Sequence, residues 1–201
     1  MSDYLSKSDI LIYLKDLYDS IKPIDYSIWD INKMILICCY IDASGQYFYP
    51  KLTPGWPRFR ETLKNTKYKD IFTKVSVPYL HSYKRSLLND SEIDNVNYYL
   101  GIARIFDINE IDIDIDLFVK NKNLDKKIVE SYTIGKIFWR NIRSALIHQV
   151  HIKKTLQDLF NKKTPYYVVY EDNDGNEKYM LALPIKFLCE TFESILDFID
   201  C

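Results

Sequence analysis

Apolar residues recur at helical spacing over most of the chain, which is the pattern of helices that bury one face. Proline and small residues divide these stretches. Ser8-Asp9 is predicted to cap the first helix, Pro23 ends it, and Ala43-Ser44-Gly45 is predicted to end the second. We therefore expect a mainly α protein. The predicted helices cover residues 10–21, 28–41, 58–64, 78–85, 91–106, 123–146 and 184–199.

Strands are predicted in two places. Residues 110–117 alternate between apolar and acidic side chains, which predicts a half-buried strand with Asp112, Asp114 and Asp116 on its solvent-facing side. Same-face side chains of a strand lie ~6.6 Å apart, too far for three carboxylates to hold one ion, so no metal site is predicted. Further on, the turn dipeptide Asp174-Gly175 joins two apolar stretches. It predicts a small β-hairpin over about 165–183, inserted before the last helix.

Length and composition indicate a single domain spanning residues 1–201. The chain has 201 residues, of which 47% are hydrophobic and 27% charged, a composition typical of folded proteins. Its formal net charge is -1, so the molecule as a whole has no field that would attract nucleic acid or an anionic membrane. Any contact with RNA must therefore use a local basic patch.

The sequence also carries expectations about location and cofactors. It begins without the basic and apolar regions of a secretory signal, and no apolar run approaches the ~20 residues that span a bilayer. We expect a cytoplasmic protein without membrane contact. No cofactor is predicted, because the chain lacks a glycine-rich phosphate loop, a Gly-x-Ser-x-Gly elbow and a His-Glu-x-x-His zinc helix. Its four cysteines lack the paired spacing of a metal site, and Cys38 and Cys39, which lie in an apolar run, are interpreted as free thiols.

Residues 138–149 form the chemically most informative stretch, because they contain Arg143 and His148. Metal-free RNA cleavage needs a base for the 2′-hydroxyl proton, a cation for the phosphoryl oxygens and an acid for the leaving 5′-oxygen. Histidine titrates near neutral pH and can serve as base or acid. Arginine stays charged and presents a planar fork to phosphate. These two residues thus have the side chains that the reaction requires.

The sequence Arg-Ser-Ala-Leu-Ile-His at residues 143–148 resembles the Arg-x4-His signature of the HEPN superfamily. This superfamily comprises small helical bundles that include metal-independent ribonucleases, toxin components and inactive relatives. The order of motif helix, small hairpin and terminal helix is also similar to bacterial HEPN-like proteins, over about residues 28–200. The resemblance implies a HEPN-like helical bundle and a metal-independent endoribonuclease acting as a toxin or phage-defence effector. The implied partners are RNA, a second copy of the chain in a homodimer, and an antitoxin protein.

The resemblance assigns Arg143 and His148 as the catalytic residues. On a regular α-helix, a separation of five residues at ~100° each places two side chains about 140° apart. A single regular helix would then not bring both to one phosphate, so either the helix bends between them or another chain completes the site. The second arrangement is usual in HEPN ribonucleases, and the resemblance therefore implies that each active site combines residues of two protomers. The substrate-binding candidates around the pair are Arg140, Asn141, Ser144, Gln149 and His151.

Two other interpretations remain open. The first is a catalytically inactive HEPN-like module that dimerises or binds a partner or a nucleotide. The second is a helical adaptor unrelated to HEPN, in which Arg143 pairs with a carboxylate such as Glu130. In that interpretation, His148 is favoured near a helix C-terminus by the helix dipole. The sequence assigns no role to residues 66–120.

Overall fold

The structure is a computed structural model that describes residues 6–23, 30–102, 104–143, 163–172 and 174–200. Helices predominate and a small antiparallel sheet lies near the C-terminus, so the predicted mainly α class is confirmed. The helices are α1 (Lys7–Ile21), α2 (Asp30–Phe48), α3 (Trp56–Lys64), α4 (Lys69–Phe72), α5 (Val77–Tyr83), α6 (Asp90–Ile102), α7 (Ile108–Ile111), α8 (Ile115–Lys122), α9 (Lys126–Glu130), α10 (Ile134–Ile137) and α11 (Ile185–Asp200). A 3-10 turn covers Arg85–Leu87 and a π-helix covers Phe138–Arg143; the strands are β1 (Lys74–Val75), β2 (Ile105–Asp107), β3 (Ile113–Asp114), β4 (Tyr166–Glu171) and β5 (Glu177–Ala182).

The chain divides into two compact units, each built from non-adjacent segments. The first unit contains Met1–Lys69, Phe138–Asn161 and Ile185–Cys201, and the second contains Asp70–Ile137 and Lys162–Pro184. The expectation of a single domain over residues 1–201 stays a prediction. Among the described residues, no helix combines the length and apolar character needed to cross a membrane.

In the first unit, helices α1, α2, α3 and α11 pack around an aromatic and aliphatic core. The ring of Phe192 on α11 lies 5.4 Å from that of Tyr18 and 5.7 Å from that of Tyr40, measured between centroids. Helix α11 forms where the sequence predicted it, because its apolar residues lie on one face and are buried. Helix α1 ends at Ile21, just before Pro23 as predicted, but its cap is Ser6 and not Ser8-Asp9.

The predicted end of α2 at residues 43–45 is wrong, because the helix continues through Gly45 to Phe48. Gly45 lies against α3, where a Cβ atom would come within 2.6 Å of Thr62 Oγ1 and 3.3 Å of the Arg58 carbonyl oxygen. The glycine therefore permits close approach of two helices instead of ending one.

The second unit contains two small antiparallel sheets. The predicted hairpin is confirmed: β4 pairs with β5, and Gly175 in the connecting turn has a φ of 78°. The sequence missed the third strand of this sheet, β2, which pairs with β4 through Phe106 and Tyr167. A second sheet pairs β1 with β3.

The predicted strand over residues 110–117 is wrong. The segment instead passes from α7 through Asp112 and the short strand β3 into α8. Aspartates cause this break, because the Asp107 side chain caps α7 and the Asp114 side chain accepts the backbone N–H groups of Asp116 and Leu117 to cap α8. Asp112 does not face solvent, since only 7% of it is exposed.

The predicted continuous helix over residues 123–146 is also interrupted. Helix α9 stops at Glu130, and Thr133 then forms an isolated antiparallel bridge with Val75. The Tyr132 carbonyl accepts a 2.8 Å hydrogen bond from the Ser76 backbone N–H, so this part of the chain pairs with a strand instead of extending a helix. Apolar spacing alone does not encode such a long-range hydrogen bond.

Candidate functional site

The candidate motif begins in a π-helix, Phe138–Arg143, within the first unit. Hydrogen bonds in a π-helix join residues five apart, and this rare structure often occurs at functional sites. Phe138 is fully buried and packs edge-on against Phe59 of α3, with centroids 5.2 Å apart. Trp139 packs against Trp56, with centroids 6.3 Å apart. The start of the motif is thus anchored on α3 by two aromatic pairs.

Backbone geometry at the start of α3 permits this packing. Gly55 precedes Trp56 with a φ of 92° and a ψ of -137°, a conformation that is essentially restricted to glycine. A Cβ atom at this position would lie 3.5 Å from Trp139 Cζ2. The guanidinium of Arg58 then holds the preceding loop by donating to the carbonyl oxygens of Leu52 at 2.8 Å and Pro50 at 3.0 Å. Arg58 therefore has a structural role in this loop.

The structure places part of the predicted site. Arg140 lies in the π-helix with an exposed side chain, and Asn141 and Arg143 belong to the same π-helix. The other predicted site residues lie outside the described residues, so the arrangement of Arg143 and His148 stays a prediction. The predicted site residues outside are Ser144, His148, Gln149 and His151.

A second group of chemically informative residues, which the sequence missed, lies in the second unit. The carboxylate of Asp112 accepts hydrogen bonds from the Tyr167 hydroxyl at 2.8 Å and the Val77 backbone N–H at 3.1 Å. The Tyr167 hydroxyl also bonds to the hydroxyl of Ser76, whose side chain caps α5. Ser76, Asp112 and Tyr167 are all buried, and we refer to these three residues as the buried hydroxyl–carboxyl network.

Burial controls the ionisation of this network. It raises the pKa of Asp112 from 3.8 to about 8, although the bonds from Tyr167 and Val77 and the charge of Lys74 act in the opposite direction. Burial and the nearby Asp112 carboxylate raise the pKa of Tyr167 well above its usual value. At neutral pH the Asp112 carboxyl is therefore mostly protonated, and the network holds a buried proton.

Asp112 also lines a cavity of about 540 Å³. Polar side chains form most of the wall, and the volume lies in the range of small-molecule sites. The sequence did contain a signal for the helix α7, which forms part of this wall. Asp107 and Glu110 have the spacing of a capping box, which predicts a helix start where we expected a strand. The residues lining the cavity are Val77, Ser91, Glu92, Asn95, Asn109, Glu110, Ile111, Asp112 and Ile113.

The three aspartates examined for metal binding have other roles. Asp112 belongs to the buried network, Asp114 caps α8, and Asp116 forms a 2.5 Å ion pair with Lys126. Within the described residues, no group of three or more His, Cys, Asp or Glu side chains has an arrangement that could hold a metal ion.

No family model, characterised protein or solved structure matches the chain. Membership of the HEPN superfamily therefore stays a prediction, based on residues 143–148 and the order of elements around them.

Proposed function

We propose that the protein is a metal-independent endoribonuclease of the HEPN type, with Arg143 and His148 as its catalytic residues. The observation that carries the proposal is the π-helix that ends at Arg143 and is anchored by Phe138 and Trp139. A π-helix is rare and concentrates at functional sites, and this one coincides with the start of the Arg-x4-His motif. The exposed side chain of Arg140 adds positive charge beside it.

In the proposed reaction, the 2′-oxygen of the substrate attacks the adjacent phosphorus. A base removes the 2′-hydroxyl proton, the bond from phosphorus to the 5′-oxygen breaks, and an acid protonates the departing 5′-oxygen. The products are a 2′,3′-cyclic phosphate and a free 5′-hydroxyl. His148 supplies proton transfer, and Arg143 stabilises the negative charge on the phosphoryl oxygens.

The proposed active site combines two protomers of a homodimer. The geometric reason given above assumed a regular α-helix, whereas the segment that leads to Arg143 is π-helical. The divergence of about 140° applies to the stretch from Arg143 to His148, which lies outside the described residues beyond Arg143, so this angle stays an assumption. The composite site is therefore proposed from the family resemblance, and a test of assembly is required.

Cleavage of end-labelled RNA by the purified protein in excess EDTA tests the proposal directly. We expect cleavage to persist in the chelator and to fall by about 10²–10⁴-fold in Arg143→Ala and His148→Ala, as for lost acid–base groups. His81→Ala is the control, because His81 lies on α5 of the second unit and is not part of the Arg-x4-His motif. A purified protein that leaves RNA intact, or cleaves it only with an added divalent ion, would contradict the proposal.

The same variants test the biological role. A toxin or phage-defence effector with this chemistry should arrest growth when it is expressed without its antitoxin. We expect growth arrest with the unaltered chain and normal growth with His148→Ala at equal protein levels. Equal arrest by both proteins would show that the toxicity does not depend on His148.

A further inference from the structure

The second unit contains a small cleft lined by four tyrosines, which we call the tyrosine cleft. Its volume is about 140 Å³, and it lies between α5 and the β4–β5 hairpin. Its position at the edge strand β5 leaves it outside the buried network described above. The lining residues are Tyr79, Ser82, Tyr83, Tyr170, Lys178, Tyr179 and Met180.

Two of the tyrosines form a fixed inner wall. The Tyr179 hydroxyl donates to the Pro78 carbonyl oxygen and also bonds to the Ser82 hydroxyl. The rings of Tyr79 and Tyr179 have centroids 6.2 Å apart. Because these rings are already ordered, a ligand that packs against them loses little protein side-chain entropy on binding.

The outer wall of the cleft exposes apolar surface to solvent. Tyr83 is 66% exposed, Tyr170 is 44% exposed and Met180 is 42% exposed. Exposed aromatic faces are the surfaces on which single-stranded nucleic acids stack their bases, with little dependence on sequence. The cleft therefore presents both a preformed wall and accessible ring faces.

Charge around the cleft is compatible with a phosphate backbone on the side of α5. Among the described residues that line the cleft, Lys178 alone is charged, and Asp172 neutralises it through a 2.7 Å ion pair. Lys84 and Arg85 follow Tyr83 directly and are exposed, and within the described residues neither forms an ion pair. Phosphates next to a base bound at Tyr83 would meet these two cations.

We propose that the tyrosine cleft binds a nucleobase of single-stranded RNA, stacked on the exposed ring of Tyr83. The size of the cleft favours one planar ring over a proline-rich peptide, which requires a longer groove with several aromatic contacts. The lining also contains hydroxyl groups and the Lys178 ammonium, which are the kinds of group that bond to the polar edge of a base. Its role in holding substrate rests on the proposed ribonuclease function, whereas binding itself does not require cleavage.

The test is the affinity of the full chain for short fluorescent 2′-O-methyl oligouridine and oligoadenosine, measured by anisotropy. These probes cannot be cleaved through the 2′-oxygen, so binding is measured whether or not the ribonuclease proposal is correct. We expect saturable binding that Tyr83→Leu weakens by about five- to a hundredfold, the loss of one stacked base. Tyr83→Phe should retain the affinity, because it keeps the ring and removes only the hydroxyl.

Tyr98→Leu is the matched control, since Tyr98 is 60% exposed on α6 and does not line the cleft. It should leave the affinity unchanged. The factor by which Tyr83→Leu weakens binding should be the same in Arg143→Ala as in the unaltered chain. The proposal is overturned if the unaltered chain does not bind the probes, or if Tyr83→Leu binds them as the unaltered chain does. It is also overturned if a labelled proline-rich peptide binds at Tyr83 and excess oligonucleotide does not displace it.

Discussion

The buried carboxyl group of Asp112 accepts a 2.8 Å hydrogen bond from the hydroxyl of Tyr167, which in turn bonds to Ser76. This chain of bonds joins the segment between α7 and β3 to strand β4 and to the start of α5. Burial raises the pKa of Asp112 to about 8, so the folded protein retains a proton that an unfolded chain releases above its ordinary pKa of 3.8. Protonation is thereby linked to folding.

The first prediction concerns the pH dependence of stability. Between the unfolded and folded pKa values of Asp112, the folded state binds more protons, so the free energy of unfolding falls as pH rises towards about 8. The decline due to Asp112 is at most ~1.4 kcal/mol for each pH unit. Above the folded pKa, the stabilisation that the protonated Asp112 provides is fully lost and the decline stops. Asp112→Asn cannot ionise and should lack this decline. Urea unfolding of both proteins across this range measures the difference.

Asp116→Asn is the control for this experiment. Asp116 is exposed and forms an ion pair with Lys126 on the surface, so its replacement should leave the pH profile close to that of the unaltered chain. The charged groups that act on Asp112 are Lys74 and Asp107, and both are retained in the two variants. Parallel profiles for the unaltered chain and Asp112→Asn would show that Asp112 ionises normally in the folded protein.

A second prediction isolates the hydroxyl of Tyr167. Tyr167→Phe keeps the ring in its packed position but removes the hydrogen bond that Asp112 Oδ2 accepts and the bond between Tyr167 and the Ser76 hydroxyl, while Ser76 keeps its cap bond to the Tyr79 N–H. Leaving such groups unpaired typically costs ~1–3 kcal/mol of the free energy of unfolding. Tyr98→Phe, at an exposed position, should cost almost nothing. Chemical denaturation at neutral pH compares the two, and an equal stability of both variants would contradict the role given to the network.

The elements that the sequence predicted well are those specified by neighbouring residues. Apolar spacing in α11 and the Asp174-Gly175 turn of the hairpin both act over a few positions, and both appear in the structure. The errors arise where distant segments decide the outcome. Gly45 lies within α2 and not at its end, because it allows α2 to pack closely against Thr62 of α3. The helix does not continue through Tyr132, because the Tyr132 carbonyl accepts a hydrogen bond from the Ser76 backbone N–H.

The candidate site shows the same division. Residue type and spacing predict Arg143 and His148 as a catalytic pair, which stays a prediction. Apolar spacing also predicted an α-helix over residues 138–143, where the structure has a π-helix. The buried role of Asp112 depends on Tyr167, which lies 55 positions later in the chain. Alternation around residue 112 indicated which residues are apolar, whereas tertiary contacts determined which aspartate is buried.

A third prediction tests the glycine that precedes the aromatic anchor of the motif. Gly55 has a φ of 92°, so Gly55→Ala should destabilise the fold by ~1–3 kcal/mol through backbone strain. Gly101→Ala is the matched control, because Gly101 lies in α6 and a Cβ atom there would meet nothing within 4 Å. That control should stabilise the helix by ~0.5–1 kcal/mol. Thermal unfolding reports both changes, and a stable Gly55→Ala protein would show that the segment does not require this conformation.

The last prediction concerns how the proposed active site is assembled. If each site combines Arg143 of one protomer with His148 of the other, homodimers of Arg143→Ala and of His148→Ala lack one required group in every site. Unfolding the two variants together and refolding them at equal concentrations should make about half of the dimers mixed, if protomers pair at random. Each mixed dimer then contains one site with both required side chains.

We expect RNA cleavage in the refolded mixture to rise well above the sum of the two separate variants. Refolding each variant alone, at the same total concentration, controls for activity regained through refolding itself. Mixed dimers must be detected independently, for example by mass spectrometry of protomers that carry different tags. A mixture that contains them and still fails to cleave RNA would reject simple sharing between protomers. Arg143 and His148 would then act within one chain, or each site would require both copies of each residue.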